Sequence, residues 1–298
     1  MSIDFCGLEL AHPIINGSGT FDAIAAAEVF GEGLRERFPF AAYVSKTITL
    51  SPRLGNPPPR LWETPGGMIN SIGLPNKGLA GYLAEDLPEL SGMRGDPACT
   101  PDGLSHRVPL ITNVMGSTAE EIAELLEACD GVGEIGAIEL NVSCPNVGTG
   151  LDIGSDPRQL EAVLGAVRDR TRKPLIVKLT PNAASVPDCA MAAQEAGADA
   201  VSLINTLRAM ALDPESSTGS PWLGAGTGGL SGPAIRPVAL AQVAAVAARI
   251  RIPLVGMGGV QSSAHARQML DVGATLVAVG TESFRDPAAG ARIARGLI

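Results

Sequence analysis

Residues 175–205 read L-I-V-K-L-T-P-N-A-A-S-V-P-D-C-A-M-A-A-Q-E-A-G-A-D-A-V-S-L-I-N. An apolar run at 175–179 is followed by a segment of helical period at 183–195, and then by a second apolar run at 200–205. Two near-continuous apolar strands joined through a helix make a βαβ unit, with the strands parallel and their outer face covered. The same alternation recurs outward from this unit. Further strand candidates lie at 13–17, 42–48, 110–115, 137–142, 253–257 and 275–279, which brings the set to eight. Helical patterns are clearest at 118–129, 156–170, 183–195, 235–249 and 263–271. Closing eight such units gives an α/β fold, a (β/α)8 TIM barrel forming a single domain over residues 1–298. An open doubly wound sheet is the alternative.

Two connections are longer than a barrel needs. Residues 51–90 are rich in Pro and Gly, and 208–232 are similarly irregular. Both leave the carboxyl end of a strand, where barrel active sites lie, so they read as structureless active-site loops or lids.

Composition narrows the function. With 22 Lys+Arg against 31 Asp+Glu, the chain carries a net charge of −9, which argues against nucleic acid or an anionic membrane as partner. The start of the chain carries Asp4, Glu9 and His12 with no basic stretch before an apolar core, so no signal peptide is expected. No run is long and apolar enough to span a bilayer. The cysteines at 6, 99, 129, 144 and 189 have no iron–sulfur or zinc spacing, which suits a cytoplasmic protein with reduced thiols and no metal.

Chemistry concentrates in a few segments. E-L-N-V-S-C-P-N at 139–146 ends the fourth strand candidate. A lone cysteine is usually a small buried hydrophobe. Cys144, however, leaves a strand end between Asn141 and Asn146, whose amides both donate and accept and so suit a heterocycle bearing N–H and C=O groups. A thiol there can act as base, nucleophile or metal ligand. In T-P-G-G-M-I-N-S-I-G-L-P-N-K-G at 64–78, glycines let the backbone approach a ligand closely, although turns alone would also explain them. G-M-G-G-V at 256–260 and V-G-T at 279–281 each end an apolar strand before a helical pattern, the arrangement that binds phosphate in the last two loops of a barrel. Lys46 ends the second strand and Lys178 lies inside V-K-L of the fifth, where a lysine is costly unless paired. Asn113 and Asn205 are polar where strands should be apolar. Glu139 is the one carboxylate at these strand ends, so a paired-carboxylate mechanism is disfavoured. His12, His106 and His265 lie in unrelated contexts, and no Cys–His pair is evident.

S-K-T at 45–47, R-L-G-N-P-P-P-R at 53–60, E-T-P-G-G-M-I-N-S-I-G-L at 63–74, N-V-S-C-P-N at 141–146, T-G-G-L-S-G-P-A at 227–234, G-M-G-G-V and V-G-T occur in that order over nearly the whole chain. Together they resemble the dihydroorotate dehydrogenase family, and the E-T-P-G-G-M-x-N segment resembles the catalytic subunit of its class 1B. Cysteine rather than serine in N-V-S-C-P-N points away from the membrane-bound class. The resemblance implies oxidation of (S)-dihydroorotate to orotate in pyrimidine biosynthesis, with FMN as cofactor. It implies an FMN site from Ser18, Lys46, Thr47, Asn113, Asn141, Lys178, Ile204, Gly232, Gly258, Gly259, Gly280 and Thr281. It implies an orotate site from Lys46, Asn70, Ser71, Ile72, Gly73, Leu74, Asn141, Asn146, Asn205 and Thr206. Cys144 is then the general base, with Lys178 and Lys46 as catalytic cations. The resemblance also implies a partner subunit carrying FAD and a 2Fe-2S cluster, a catalytic homodimer at the core of a heterotetramer, and NAD+ as final acceptor. Two departures stand out: Asp22-Ala23-Ile24-Ala25 replaces the usual continuation after S-G-T-F, and Gly226 precedes T-G-G where relatives often have lysine.

Rival readings are a fumarate-linked class 1A enzyme, a dihydropyrimidine dehydrogenase-like flavin barrel, a flavin-free aldolase using Lys178 as Schiff base, and a non-catalytic binding subunit.

Overall fold

In the computed structural model, which describes residues 2–93, 108–142 and 153–297, the apolar runs form the expected strands. Strands β1 (Ile3–Phe5) and β2 (Leu8–Leu10) pair as an antiparallel hairpin ahead of the barrel. Strands β3 (Ile14–Asn16) and β4 (Tyr43–Val44) begin the barrel, and β5 (Leu61–Thr64) and β6 (Gly67–Asn70) leave it as a hairpin. Strands β7 (Leu110–Val114), β8 (Ile135–Asn141), β9 (Leu175–Lys178) and β10 (Ala200–Leu203) resume it. Strands β11 (Leu207–Ala209) and β12 (Gly228–Ser231) leave again before β13 (Leu254–Met257) and β14 (Leu276–Val279) complete the set. The order round the sheet is β3-β14-β13-β10-β9-β8-β7-β4, and every neighbouring pair is parallel. The seam between β3 and β4 is bridged by the Ala41 N–H to the Ile14 carbonyl at 2.9 Å and by the side chain of Asn16.

Alternation along the strands divides the core in two. Outward residues such as Val114, Ile138, Leu140, Val177, Val201 and Leu203 pack under the helices. Inward residues Ile15, Val44, Ile111, Ala137, Ile176, Ala200, Val255 and Leu276 fill the barrel, and Phe5 and Leu10 of the leading hairpin join this cluster. Each Val, Leu, Ile or Phe among them contributes about 1.5–3 kcal/mol on burial, so these two clusters dominate the stability of the fold.

The predicted helices are present as Ala119–Asp130, Pro157–Val167, Val186–Glu195, Arg236–Ala247 and Ser263–Asp271. Thr118, Asp156, Ser185 and Ser262 cap the first three and the last by accepting a backbone N–H two or three residues on. Ala23–Phe30, Gly78–Gly81, Leu87–Met93 and Ala289–Arg295 are further helices that the periodicity does not single out. Asp22 explains the first of these. Its carboxylate accepts from the Ile24 and Ala25 N–H groups at 3.1 Å each, so the departure after S-G-T-F is a helix start.

The two long connections are not structureless, contrary to the sequence reading. β5 and β6 from the first join β11 and β12 from the second in a four-stranded antiparallel sheet, order β11-β12-β6-β5. Ile69, Ala211 and Leu223 form its small core, and Trp62 meets Trp222 edge-to-face with ring centroids 5.2 Å apart. The partners are far apart in sequence, so local pattern does not reveal the pairing.

Candidate active site

Each barrel strand delivers at least one of the candidate flavin-site residues at its carboxyl end. Ser18 follows β3, Lys46 and Thr47 follow β4, Asn113 lies in β7, and Asn141 and Lys178 are the last residues of β8 and β9. Ile204 follows β10, Gly258 and Gly259 follow β13, and Gly280 and Thr281 follow β14. This is the face on which barrel enzymes carry their chemistry, because the connecting loops there are free of the packing demands of the wall.

The inward face of the wall changes from apolar to polar on approaching this end. Register pairs Asn113 with Glu139, Asn141 with Lys178, and Lys178 with Ser202. All five are buried. Glu139 accepts from Asn113 Nδ2 at 2.5 Å through Oε2 and from Ser202 Oγ at 2.7 Å through Oε1. Asn113 Oδ1 is buried with no hydrogen-bond partner among the described residues. Lys178 is 6% exposed, and among the described residues it makes no hydrogen bond or ion pair. A buried cation on β9 and a buried acceptor on β7, each without a side-chain partner among the described residues and separated by β8, are costly in an apoprotein and fit a polar ligand. Lys46 differs from Lys178: it is exposed at the mouth, flanked by buried Ser45 and Thr47. Ser18 Oγ donates to the Ser45 carbonyl at 2.8 Å and lies 3.4 Å from Thr47 Oγ1.

The glycines after β12 and β13 come together at the carboxyl end of the barrel. Gly232, Gly258 and Gly259 have φ of +102°, +131° and +69°, and a Cβ on Gly259 would stand 2.8 Å from the Gly232 carbonyl oxygen. Thr281 Oγ1 donates to Ser231 Oγ at 2.9 Å, tying the β14 loop to β12. Backbone here approaches backbone with no room for side chains, which leaves N–H groups for an anion.

The candidate substrate loop, 70–74, runs from the end of β6 and is braced by asparagines that the sequence reading did not single out. Asn56 Nδ2 donates to Ser71 Oγ at 2.9 Å, and its backbone N–H donates to the Ile72 carbonyl at 3.0 Å. Asn76 Nδ2 donates to the Leu74 carbonyl at 2.9 Å, and its Oδ1 accepts from Gly78 N at 2.8 Å. Gly73 and Leu74 sit at φ +76° and +54°. Asn70 Nδ2 donates to the Gly229 carbonyl at 3.3 Å, joining this loop to β12. Across the mouth, Asn182 Nδ2 donates to the Thr206 carbonyl at 3.1 Å, and Asn205 Oδ1 accepts from Thr206 N at 2.9 Å. Asn56, Asn76 and Asn182 carried a weak signal: each lies beside a Pro, in N-P-P-P, L-P-N-K and T-P-N-A, where turn-forming amides are common.

Cys144 and Asn146 lie outside the described residues, as do Cys99 and His106. Among the described cysteines, burial pushes the Cys6 thiol up to about 11, with Asp199 and Asp4 adding to the shift. Burial likewise pushes the Cys129 thiol up to about 12, against the opposing charge of Lys173. No group of three or more His, Cys, Asp or Glu among the described residues is placed to hold a metal ion. No described helix is long and apolar enough to cross a membrane.

The family model described as dihydroorotate dehydrogenase matches residues 1–298. The chain is 43% identical over 298 residues to the "Dihydroorotate dehydrogenase B (NAD(+)), catalytic subunit" of Pelobacter propionicus, covering 100% of this chain and 92% of the relative. The protein of the same description from Geotalea uraniireducens is 42% identical over 298 residues, with the same coverage. That from Geobacter sulfurreducens is 41% identical over 295 residues, covering 99% of this chain and 90% of the relative.

Proposed function

The chain belongs to the dihydroorotate dehydrogenase family, and from that premise we propose that it is the FMN-bearing catalytic subunit of an NAD+-linked enzyme. It oxidises (S)-dihydroorotate to orotate in cytoplasmic pyrimidine synthesis. The observation that carries this reading is two buried groups on the barrel wall without a partner among the described residues, the Lys178 ammonium and the Asn113 carbonyl oxygen.

The residues present fit FMN. Gly232, Gly258, Gly259, Gly280 and Thr281 would hold the phosphate through backbone N–H groups. Ser18, Lys46, Thr47, Asn113, Asn141, Lys178 and Ile204 would hold the ring, with Lys178 supplying a fixed positive charge in a dry site. When bound, FMN supplies the hydride-accepting redox chemistry. The remaining work falls to the chain. Asn70, Asn141, Asn146 and Asn205 offer paired donors and acceptors to the pyrimidine ring, and Lys46 offers a cation to the substrate carboxylate. Ser71, Ile72, Gly73, Leu74 and Thr206 line the same space, and the braces from Asn56, Asn76 and Asn182 orient them. Cys144 Sγ, as thiolate, takes the proton from C5 of dihydroorotate.

The electrons then leave through a partner. No 2Fe-2S ligand spacing occurs in the sequence, and neither G-x-G-x-x-G run, at 131–136 or 224–229, follows a strand and opens a helix as a dinucleotide fingerprint does. The partner in this reading carries FAD and a 2Fe-2S cluster and docks on a homodimer of this chain, in a heterotetramer.

The test is the visible spectrum of the purified chain before and after anaerobic dihydroorotate, followed by assays with a dye, NAD+ or fumarate. The expected result is a yellow protein that bleaches with dihydroorotate and reduces the dye, with NADH formed only after the partner is added. A colourless protein would sink the flavin reading. Robust NADH formation by the lone chain, or efficient turnover with fumarate, would sink the NAD+-linked assignment.

A further inference from the structure

Glu139 is a buried carboxylate to which the reaction above gives no task. It stands on the inner wall of the barrel at 3% exposure, between Asn113 on β7 and Ser202 on β10, both fully buried. Its two oxygens are both engaged, Oε1 by the Ser202 hydroxyl at 2.7 Å and Oε2 by the Asn113 amide nitrogen at 2.5 Å.

The chemistry of these groups determines how the amide lies. A carboxylate only accepts, so it takes the NH2 end of Asn113 and never the carbonyl end. The carbonyl oxygen is thereby turned away from Glu139. In that position it is a buried acceptor with no partner among the described residues. A buried acceptor left unmet costs about 1–3 kcal/mol. Without the carboxylate, no group among the described residues would hold the NH2 end, and the amide would be free to lie either way round. Ser202 is the second anchor, because its hydroxyl holds the carboxylate from the far side and keeps Oε2 on Asn113.

We propose that Glu139 is a positioning residue, acting through Asn113. It locks the Asn113 amide with its carbonyl oxygen toward the bound ring, so that the site selects a ligand presenting a ring N–H there, as an oxidised isoalloxazine does. Charge is not what Glu139 contributes in this role; a fixed acceptor is. The inference rests on the FMN reading above.

The test is a set of variants of the full chain, stripped of cofactor and titrated with FMN by quenching of flavin fluorescence. The thermal midpoint of each apoprotein serves as a control for folding. Glu139→Leu is expected to weaken FMN by about tenfold or more, and Asn113→Ala by a similar factor. The double variant is expected to be no weaker than Asn113→Ala alone, because Glu139 acts only through that amide. Glu139→Gln keeps an acceptor for Asn113 Nδ2 and donates to Ser202 Oγ, so its affinity is expected within about threefold of wild type. Wild-type affinity in Glu139→Leu, or losses that multiply in the double variant, would overturn the proposal, as would a Glu139→Gln as impaired as Glu139→Leu. Should Glu139→Leu not yield soluble protein, Ser202→Ala runs the same cycle. A loss that vanishes in the Asn113→Ala background supports the proposal, and a loss that persists there overturns it. Failure of the wild-type apoprotein to bind FMN would instead remove the flavin reading itself.

Discussion

Asn16 closes the barrel onto Val44 with its side chain alone: Nδ2 donates to the Val44 carbonyl at 2.7 Å, and Oδ1 accepts from the Val44 N–H at 2.8 Å. A primary amide has the donor–acceptor spacing of a peptide group, so one side chain imitates a strand neighbour where β4 is only two residues long. Asn16 is fully buried. Asn16→Leu would leave both polar groups of Val44 unmet in the core. The expected cost is roughly 2–6 kcal/mol in urea unfolding, at about 1–3 kcal/mol per buried group. A change below ~1 kcal/mol would mean that the seam is held by other contacts.

Lys178 is expected to show opposite effects on stability and on redox poise. Removing a buried ammonium that has no partner among the described residues should make the Lys178→Met apoprotein at least as stable as wild type. The same change should lower the midpoint potential of bound FMN, by about 50 mV or more if the charge acts across a few ångströms at moderate dielectric. Orotate affinity should change less. Spectroelectrochemistry of the variant checks this, and an unchanged potential would leave Lys178 only a packing role.

The pH dependence of flavin reduction should carry the titration of a single thiol. A base must be deprotonated to act, so the rate should rise with pH through the ordinary thiol range, near about 8.5, if Cys144 is that base. Cys6 and Cys129 are out of that window, pushed to about 11 and about 12 by burial. Cys144→Ala should bind FMN and orotate but lose at least ~10²-fold in rate, and Cys144→Ser should shift the rise to higher pH. The same inflection in either variant would assign it elsewhere.

The antiparallel sheet over the mouth should matter to substrate more than to folding. Trp222 meets Trp62 edge-to-face and donates from Nε1 to the Leu61 carbonyl at 3.2 Å, away from the two main cores. Trp222→Ala is expected to raise KM for dihydroorotate several-fold, with kcat little changed and global stability within about 1.5 kcal/mol, the scale of one aromatic pair. An unaltered KM would show that the loop 70–74 holds its shape without this contact.

The sequence by itself determined the barrel and most of its rim. Eight apolar runs of strand length, each followed by helical period or a long loop, leave few other closed arrangements, because a parallel strand must be buried on both faces. It also carried the positions of Lys178, Asn113 and the glycines, since a charge, an amide or a glycine pair at the end of an apolar run conflicts with packing and so announces itself. Local pattern was weaker for Ala23–Phe30, whose start rests on the single cap of Asp22. Only the tertiary structure decided three matters. The pairing of β6 with β12 joins Asn70 to Gly229, and that register depends on long-range hydrogen bonds that no local period encodes. The closing of β3 onto β4 through Asn16 is likewise a contact between separate segments. Glu139 reads in sequence as a lone carboxylate on a strand. Its meaning comes from Asn113 and Ser202, brought to either side of it by strands that meet only when the barrel closes.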